Sequence, residues 1–344
     1  MRITCFHLNQ IGDLTFSLPA LKCLRDSFPD ATITSVVRPG VSELVDGTGL
    51  VDKVLARGGG LDAAKIGLAR ELAADRPDLA VLFSQSAECS LLAYLSRAQR
   101  RVGFVGTTLG FLLTDRTPFQ HPPSTANNLR LVQACGGRIT RTDYVGLLRS
   151  APRHIESVSA KLISSGVSAD DRIVAFSPGT SGRRRIKEWT DEGFAEVARH
   201  LLKRGLRVVV VGLVPASRIC GLCPGIVDLS GVTSLGEVVA LLSRCEALVA
   251  VDSGILHLAA AAGTRVVGLY GPSNPKVTGP QGDNHIVLTS GTDCSPCDLA
   301  GCKYERRCMT ELSPEVVIAA LDRMLAHRAR AHRRGENDVT TESW

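Results

Sequence analysis

The corner formed by Asp252, Ser253 and Gly254 offers the clearest chemistry in this sequence. It follows a short apolar run predicted as a strand (Ala247–Val251), and a small-residue segment containing His257 and predicted as a helix comes after it. A carboxylate, a hydroxyl and free backbone N–H groups therefore meet between a strand end and a helix start. Helix N-termini bind anions because backbone donors and the helix dipole converge there. The pattern predicts a site for a phosphorylated ligand.

Asp13 is the second residue of chemical interest. It follows Ile11 and Gly12 in a turn after the first predicted strand, and a helix is predicted from Ser17. Glycine permits a tight turn and a close ligand approach, and a carboxylate placed there can act as a general base on a hydroxyl. The structural alternative is that Asp13 caps the helix through Ser17, because aspartate is a common capping residue. Spacing alone does not separate the two roles.

A loop of small polar residues and cations spans residues 177–189, with the sequence SPGTSGRRRIKEW. It follows a predicted strand, so it should lie at the same crevice edge of a parallel sheet as the Asp252 corner. Four cations occupy five consecutive positions: Arg183, Arg184, Arg185 and Lys187 are separated only by one isoleucine. Together the two loops predict a diphosphate clamp that stabilises a departing nucleotide without a metal. The plain alternative is that the charge run is a solvated face.

Four cysteines lie within 15 residues in the second half of the chain: Cys294, Cys297, Cys302 and Cys308. The first two have CxxC spacing, and four thiolates can form a tetrahedral site for zinc or iron. Such a site would be structural, and the alternative is a cluster of reduced thiols. A further pair, Cys220 and Cys223 in CGLC, resembles a redox motif only superficially, because its strand context differs from that of thioredoxin.

Alternating strands and helices must position these groups. Strands are predicted at 2–8, 31–37, 79–83, 173–176, 206–211, 247–251 and 265–270, with helices at 17–28, 65–74, 191–204 and 234–243. This rhythm predicts an α/β fold with doubly wound parallel sheets. We expect an N-terminal domain over residues 1–150, a C-terminal domain over 151–326 and a polar tail over 327–344.

Composition and charge narrow the class of protein. The chain has 344 residues and a formal net charge of +6, which allows two domains with full cores. The mild positive charge suits phosphates or an anionic membrane surface, and no basic run is interleaved with the stacking aromatics of a nucleic-acid binder. No apolar stretch is long enough to span a membrane. Eleven cysteines without a secretory signal indicate a reducing compartment, so we expect a cytoplasmic protein.

Three motifs carry a resemblance to a known family. IGD and LPAL lie at residues 11–21, SPG and K-x-W at 177–189, and VDSG-x2-H-x-A at 251–259, with YGPSNP after them. Each motif alone is weak, but the ordered set closely resembles glycosyltransferase family 9, the heptosyltransferases of lipopolysaccharide core assembly. The resemblance covers nearly the whole chain, from Met1 to about residue 325.

The resemblance implies the GT-B architecture, two Rossmann-like domains facing a cleft, and an inverting transfer that needs no metal or other cofactor. Asp13 matches the family's proposed base, which deprotonates the acceptor hydroxyl, and Lys187 matches the lysine that contacts the donor phosphate. The other donor-binding positions that it implies are Thr180, Ser181, Asp252, Ser253, Gly254 and His257. Many family members also have a comparable cysteine-rich segment.

The implied partners are a nucleotide-sugar donor, ADP-heptose, and a lipid-linked saccharide acceptor, with peripheral contact with the inner membrane. One departure bears on the donor: after Gly212, where members often carry an acidic residue that holds the ribose, this chain has no carboxylate from Leu213 to Ser217. The same fold acting on a natural product or another acceptor, with a different nucleotide sugar, therefore stays open. Two other classes fit less well. A dinucleotide oxidoreductase would need a G-x-G-x-x-G fingerprint, and a non-catalytic binding module would not need Asp13.

Overall fold

The computed structural model describes residues 1–8, 10–46, 48–58, 63–120, 124–180, 184–297, 299 and 301–335. They form two compact units, each built around one six-stranded parallel sheet. The first unit comprises Met1–Val158, Ser234–Leu241 and Ala260–Gly263, and the second comprises Ser159–Thr233, Leu242–Ala259 and Thr264–Trp344. The predicted α/β class is confirmed, while the predicted domain limits near residues 150 and 326 stay predictions.

The first sheet has the strand order β3-β2-β1-β4-β5-β6. Its strands are β1 (Arg2–Phe6), β2 (Thr32–Val37), β3 (Lys53–Ala56), β4 (Leu79–Leu82), β5 (Arg100–Phe104) and β6 (Asp115–Thr117). Its helices are α1 (Ile11–Ser27), α2 (Ala63–Asp75), α3 (Ala87–Leu95) and α4 (Ser124–Ala134). All strand pairs are parallel, and this order, which reverses at β1, is that of doubly wound folds, in which ligands bind at the carboxyl ends of the strands.

The second sheet repeats the same order, as β12-β11-β10-β7-β8-β9. Its strands are β7 (Ile173–Ser177), β8 (Arg207–Val210), β9 (Val227–Asp228), β10 (Ala247–Val251), β11 (Val266–Leu269) and β12 (Ile286–Leu288). The remaining helices are α5 (Pro152–Ser164), α6 (Asp191–Lys203), α7 (Ser217–Leu222), α8 (Leu235–Arg244), α9 (Gly254–Ala261), α10 (Pro275–Thr278), α11 (Arg307–Thr310) and α12 (Pro314–Gly335). The central strands β7 and β10 are fully buried, as expected for apolar runs covered on both faces.

The start of α1 corrects one expectation. The helix predicted from Ser17 begins at Ile11, so the turn predicted over residues 9–13 is wrong where it is described. The physical reason is packing: every residue from Leu14 to Leu21 is buried, and α1 lies against α4. Burial of this apolar stretch favours continuing the helix toward the N-terminus, and Gly12 does not prevent it.

At the C-terminus, α12 runs to Gly335, so the predicted polar tail begins as helix and residues 336–344 lie outside the described part. Among all the described residues, no helix is long and apolar enough to cross a membrane.

Candidate functional site

The carboxyl edge of the second sheet brings the Asp252 corner and the 177–189 loop side by side. Strand β10 pairs with β7, with Ala250 opposite Ser177, so both strands deliver their following loops to one edge. Helix α9 starts at Gly254, directly after the corner. It packs closely on the sheet, because a Cβ at Gly268 in β11 would come within 3.1 Å of Leu256. The predicted adjacency of the two loops is therefore correct.

Lys187 and Asp252 form an ion pair at this edge. The lysine Nζ lies 2.5 Å from Asp252 Oδ2, and their side chains are only 13% and 7% exposed. A 3₁₀ segment, Arg185–Lys187, presents the lysine. His257 is buried nearby, and burial lowers its pKa from 6.5 to about 4, with Asp252 opposing the shift and Lys187 adding to it. The imidazole is therefore neutral at pH 7. Among the described residues, the cation at the corner is Lys187, and the Asp252 carboxylate balances its charge.

Four serine hydroxyls near strand ends of the second sheet are buried without a hydrogen-bond partner among the described residues. They follow or end four strands of the sheet: Ser177 ends β7, Ser230 follows β9, Ser253 follows β10 and Ser273 follows β11. Buried hydroxyls normally find a partner, since leaving one unpaired costs about 1–3 kcal/mol. Ser253 lies directly after β10, in the Asp252 corner, so a ligand with acceptor oxygens bound at that corner would give its hydroxyl a partner.

Ser230 and Ser273 were not singled out in the sequence. The usable signal was positional: each is a serine within a few residues of a predicted or short strand of a parallel sheet. Strand β9 is only two residues long, too short for a periodic pattern, so Ser230 could not be placed at the edge from sequence.

The structure separates the predicted cations of the 177–189 loop. Ser181 and Arg183 lie outside the described residues. Arg184 and Arg185 are exposed, as the solvated-face alternative expects, whereas Lys187 turns inward. The amide and hydroxyl of Thr180 each lie 3.4 Å from Glu188 Oε1, so this threonine contacts another residue of the same loop.

Asp13 lies in the first turn of α1, at the carboxyl edge of the first sheet. The cap position is Gln10, without a side-chain cap hydrogen bond. Ser17 is engaged elsewhere: its hydroxyl donates to the Leu14 carbonyl at 2.7 Å and lies 2.9 Å from His7 Nδ1. The capping alternative is therefore not observed. Burial raises the pKa of Asp13 above its usual 3.8, which makes its carboxylate a stronger base.

A buried ionic network next to β1 also escaped sequence reasoning. Arg57 donates to the His7 carbonyl at 2.8 Å and pairs with Glu88 at 2.8 Å, and Lys65 pairs with the other Glu88 oxygen at 2.9 Å. Burial and the charge of Arg57 lower the pKa of His7 to about 3. Glu88 and His7 lie 31 and 50 residues from Arg57 in the sequence, so no local pattern predicts these contacts. They hold the ends of the strands beside Asp13.

The predicted metal site is not confirmed. In the ranges described, no three or more His, Cys, Asp and Glu side chains are arranged to hold a metal ion. Burial and then the charges of the other three thiols raise the pKa of Cys308, while Cys302 accepts hydrogen bonds from the amides of Tyr304 and Arg306. Thiols suit zinc or iron chemically, but this arrangement does not form a ligand set.

The cysteine-rich segment nonetheless makes hydrogen bonds to two loops at the carboxyl edge of the second sheet. Ser295 donates to the Gly271 carbonyl at 2.5 Å, and the Cys297 amide donates to the Pro272 carbonyl at 2.9 Å. Arg306 donates to the carbonyls of Arg185 and Glu188. The segment therefore holds the turn that carries Ser273 and the loop that carries Lys187.

The surroundings of the other cysteine pair, Cys220 and Cys223, do not favour reactive thiols. Burial raises the pKa of both Cys220 and Cys223, whereas reactive thiols need a lowered pKa. All eleven cysteines are free thiols.

Residues 213–217, where the acidic residue is missing, include apolar side chains that are exposed to solvent. Leu213 and Val214 are 83% and 70% exposed. The nearby carboxylate of Asp228 accepts hydrogen bonds from the amides of Ala216 and Ser230, at 2.8 and 2.9 Å, so it holds the backbone of these turns.

Two Rossmann-like sheets of identical strand order define the fold as the GT-B architecture, which similar solved structures share. The model of glycosyltransferase family 9 (heptosyltransferase) matches residues 66–307, more than half of the chain. The protein therefore belongs to glycosyltransferase family 9. This confirms the resemblance and the fold read from the sequence.

Individual relatives agree with the family. The chain is 23% identical to lipooligosaccharide heptosyltransferase 2 of Haemophilus influenzae, over 95% of this chain and 100% of the relative. Its fold is similar to that of a family 9 glycosyltransferase from Veillonella parvula DSM 2008, with a TM-score of 0.82, 23% identity and coverage of 95% and 97%. It is also similar to the ADP-heptose lps heptosyltransferase II of E. coli, with a TM-score of 0.77, 21% identity and coverage of 96% and 100%.

Proposed function

We propose that this glycosyltransferase moves a heptose, or a closely related sugar, from a nucleotide diphosphate donor to a saccharide hydroxyl of the lipopolysaccharide core. We take ADP-heptose as the donor and expect inversion at the anomeric carbon without a divalent metal. Family membership supports the general reaction, and the similar E. coli structure bears ADP-heptose in its name. The observation that carries the donor site is the Lys187–Asp252 pair with the unpartnered Ser253 hydroxyl next to it in the chain, at the start of α9.

The donor edge is suited to a leaving diphosphate. Lys187 supplies a cation, α9 presents its N-terminus directly after Ser253, and the serine hydroxyls supply further donors. Charge-assisted hydrogen bonds of this kind are roughly twice as strong as neutral ones. Asp252 acts as a positioning residue, because its carboxylate holds Lys187 at the edge before the donor arrives.

Asp13 would act as the base. Its carboxylate accepts the proton of the acceptor hydroxyl, the hydroxyl oxygen bonds to the anomeric carbon of the donor sugar, and the bond from that carbon to the diphosphate oxygen breaks. Attack from the face opposite the leaving group inverts the configuration. The raised pKa of Asp13 supports this role, because a base works best when its pKa is closer to the working pH.

Ligand binding tests the donor assignment. Purified protein should be stabilised by ADP more than by UDP or GDP, since a ligand present at 100 times its Kd adds about 2.7 kcal/mol. Lys187→Met should lose the shift, and Lys203→Met, an exposed lysine at the end of α6, should keep it. Equal shifts with all three nucleotides, or an unchanged ADP shift in Lys187→Met, would count against the proposal.

Product analysis tests the reaction. With ADP-heptose and a core saccharide acceptor, the product should have the anomeric configuration opposite to that of the donor by NMR, and chelators should leave the rate unchanged. Retention, or loss of activity restored by a divalent cation, would contradict the mechanism.

A second candidate keeps the chemistry but changes the ligands. The exposed, apolar Leu213 and Val214 leave the usual ribose contact unfilled, which favours a different nucleoside or an acceptor outside lipopolysaccharide. A larger stabilisation by another nucleotide diphosphate in the same screen would select this candidate.

We also propose a cytoplasmic protein in peripheral contact with the inner membrane, since the expected acceptor is lipid-linked. A structural zinc or iron at the four cysteines stays a hypothesis. Metal analysis of the purified protein should then find about one equivalent, by the stoichiometry of a four-thiolate site, and Cys294→Ser should remove it. Metal-free protein of full stability would reject the site.

A further inference from the structure

Helix α3 of the first unit carries an apolar face that points to solvent. Leu91, Tyr94 and Leu95 have the i, i+3, i+4 spacing that places residues on one side of a helix, and they are 39%, 51% and 42% exposed. The opposite side, with Cys89, Leu92 and Ala93, is buried against the sheet.

The loop after β5 extends this apolar face. It is fastened to α3, because Ser90 donates to the Thr108 carbonyl at 2.8 Å and the Thr108 amide donates to the Gln85 carbonyl at 3.1 Å. A 3₁₀ segment, Gly110–Leu112, then presents Phe111. Phe111 is 77% exposed and Leu109 is 37% exposed.

Positive charge borders these residues. Tyr94, Leu95, Arg97, Ala98 and Arg101 line a cavity of about 300 Å³. The Arg101 guanidinium lies 5.7 Å from the centre of the Tyr94 ring, and it donates to the carbonyls of Ala98 and Leu112. The flanking carboxylates are paired: Glu88 with Arg57 and Lys65, and Asp115 with Arg100. Arg97 and Arg101 are in none of the ion pairs found among the described residues, so they add positive charge to this apolar surface.

We propose that this α3 surface (Leu91, Tyr94, Leu95, Leu109 and Phe111, with Arg97 and Arg101) binds the interface of an anionic lipid bilayer. Leucine, phenylalanine and tyrosine enter the region between headgroups and acyl chains, while the arginines meet lipid phosphates. The charges favour this occupant, because the neighbouring carboxylates Glu88 and Asp115 are already neutralised by ion pairs while Arg97 and Arg101 can meet an anionic surface. The surface deepens the peripheral membrane contact proposed above and rests on that part of the proposed function.

Vesicle flotation tests the surface without any substrate. Wild-type protein should bind vesicles of phosphatidylglycerol and phosphatidylethanolamine, and bind phosphatidylcholine vesicles much more weakly. Phe111→Ser should lower the affinity by at least about tenfold, from the loss of one buried aromatic side chain, and Arg97→Gln by about fivefold, from one basic residue near an anionic surface. Added salt should weaken wild-type binding.

Matched controls come from the second unit. Ile163→Ser on α5, where the side chain is 66% exposed, and Lys203→Gln on α6 should bind vesicles like the wild type. Retention of the ADP-induced thermal shift in Phe111→Ser shows that this variant is folded, and it separates a failure of the surface from a failure of the donor assignment.

Three results would overturn the inference: no binding of the wild type to anionic vesicles, equal binding of wild type and Phe111→Ser, or conversion of a dimer to a monomer by Phe111→Ser in sedimentation velocity. The last result would assign the α3 surface to a second copy of the chain.

Discussion

Removing the Lys187 charge should lower both the free energy of unfolding and the affinity for the donor, and the two effects have different causes. Lys187→Met leaves the Asp252 carboxylate, 7% exposed, without its counter-charge. Breaking a buried pair by removing one partner costs about 3–5 kcal/mol. Lys187 is 13% exposed, so some water reaches the pair and the lower end, about 3 kcal/mol, applies. In a unit of this size the loss corresponds to a fall in Tm of roughly 6–12 °C.

A second substitution separates the two effects. Asp252→Asn in the Lys187→Met background removes the stranded charge, so most of the lost stability should return. Donor affinity should not return, because the charge-assisted contact with the diphosphate is still absent. That contact is worth about 1.5–3 kcal/mol, or roughly a 10- to 150-fold rise in the Kd for ADP.

Thermal unfolding and calorimetric titration with ADP measure both quantities, with Lys203→Met as the control. Three results would contradict this prediction: Lys187→Met melts at the wild-type temperature, the double variant remains as unstable as the single one, or the ADP affinity of either variant equals that of the wild type.

Three further substitutions test other parts of the site. Asp13→Asn should lower turnover by about 10²–10⁴-fold yet raise Tm at pH 7, because a raised carboxyl pKa means that the charged form destabilises the fold above that pKa; unchanged turnover would exclude the base. The wild type should lose stability as the pH falls from 6.5 to about 4, because His257 is protonated in the unfolded chain but not in the folded one over this range. His257→Gln should reduce this loss, and an unaltered pH profile of Tm would refute this. Ser253→Ala should raise Tm slightly, because it removes a buried hydroxyl without a partner among the described residues, yet weaken ADP binding; full ADP affinity would exclude a donor contact at Ser253.

Much of the fold followed from local patterns. Buried strands such as β7 and β10 are short, wholly apolar runs, and the helices between them end at glycine or begin after polar residues, so their positions were predicted to within a few residues. The start of α1 was missed because burial of residues 14–21 against α4 favoured an earlier helical turn than the sequence signals did. Helix α3, which carries the proposed membrane surface, was not predicted at all, since its exposed apolar side chains weaken the usual amphipathic pattern.

The sequence by itself determined the α/β class, the family resemblance and the Asp252 corner, because the alternation of strands and helices and each of the motifs are local patterns along the chain. Only the tertiary structure decided that, of the described cations Arg184, Arg185 and Lys187, the lysine reaches that corner. It also brought the loop after β7, with Lys187, next to the Asp252 corner after β10, although 65 residues separate Lys187 from Asp252. The physical reason is that parallel strands bring distant carboxyl ends to a common edge, and the direction of each side chain there depends on packing that no local pattern encodes.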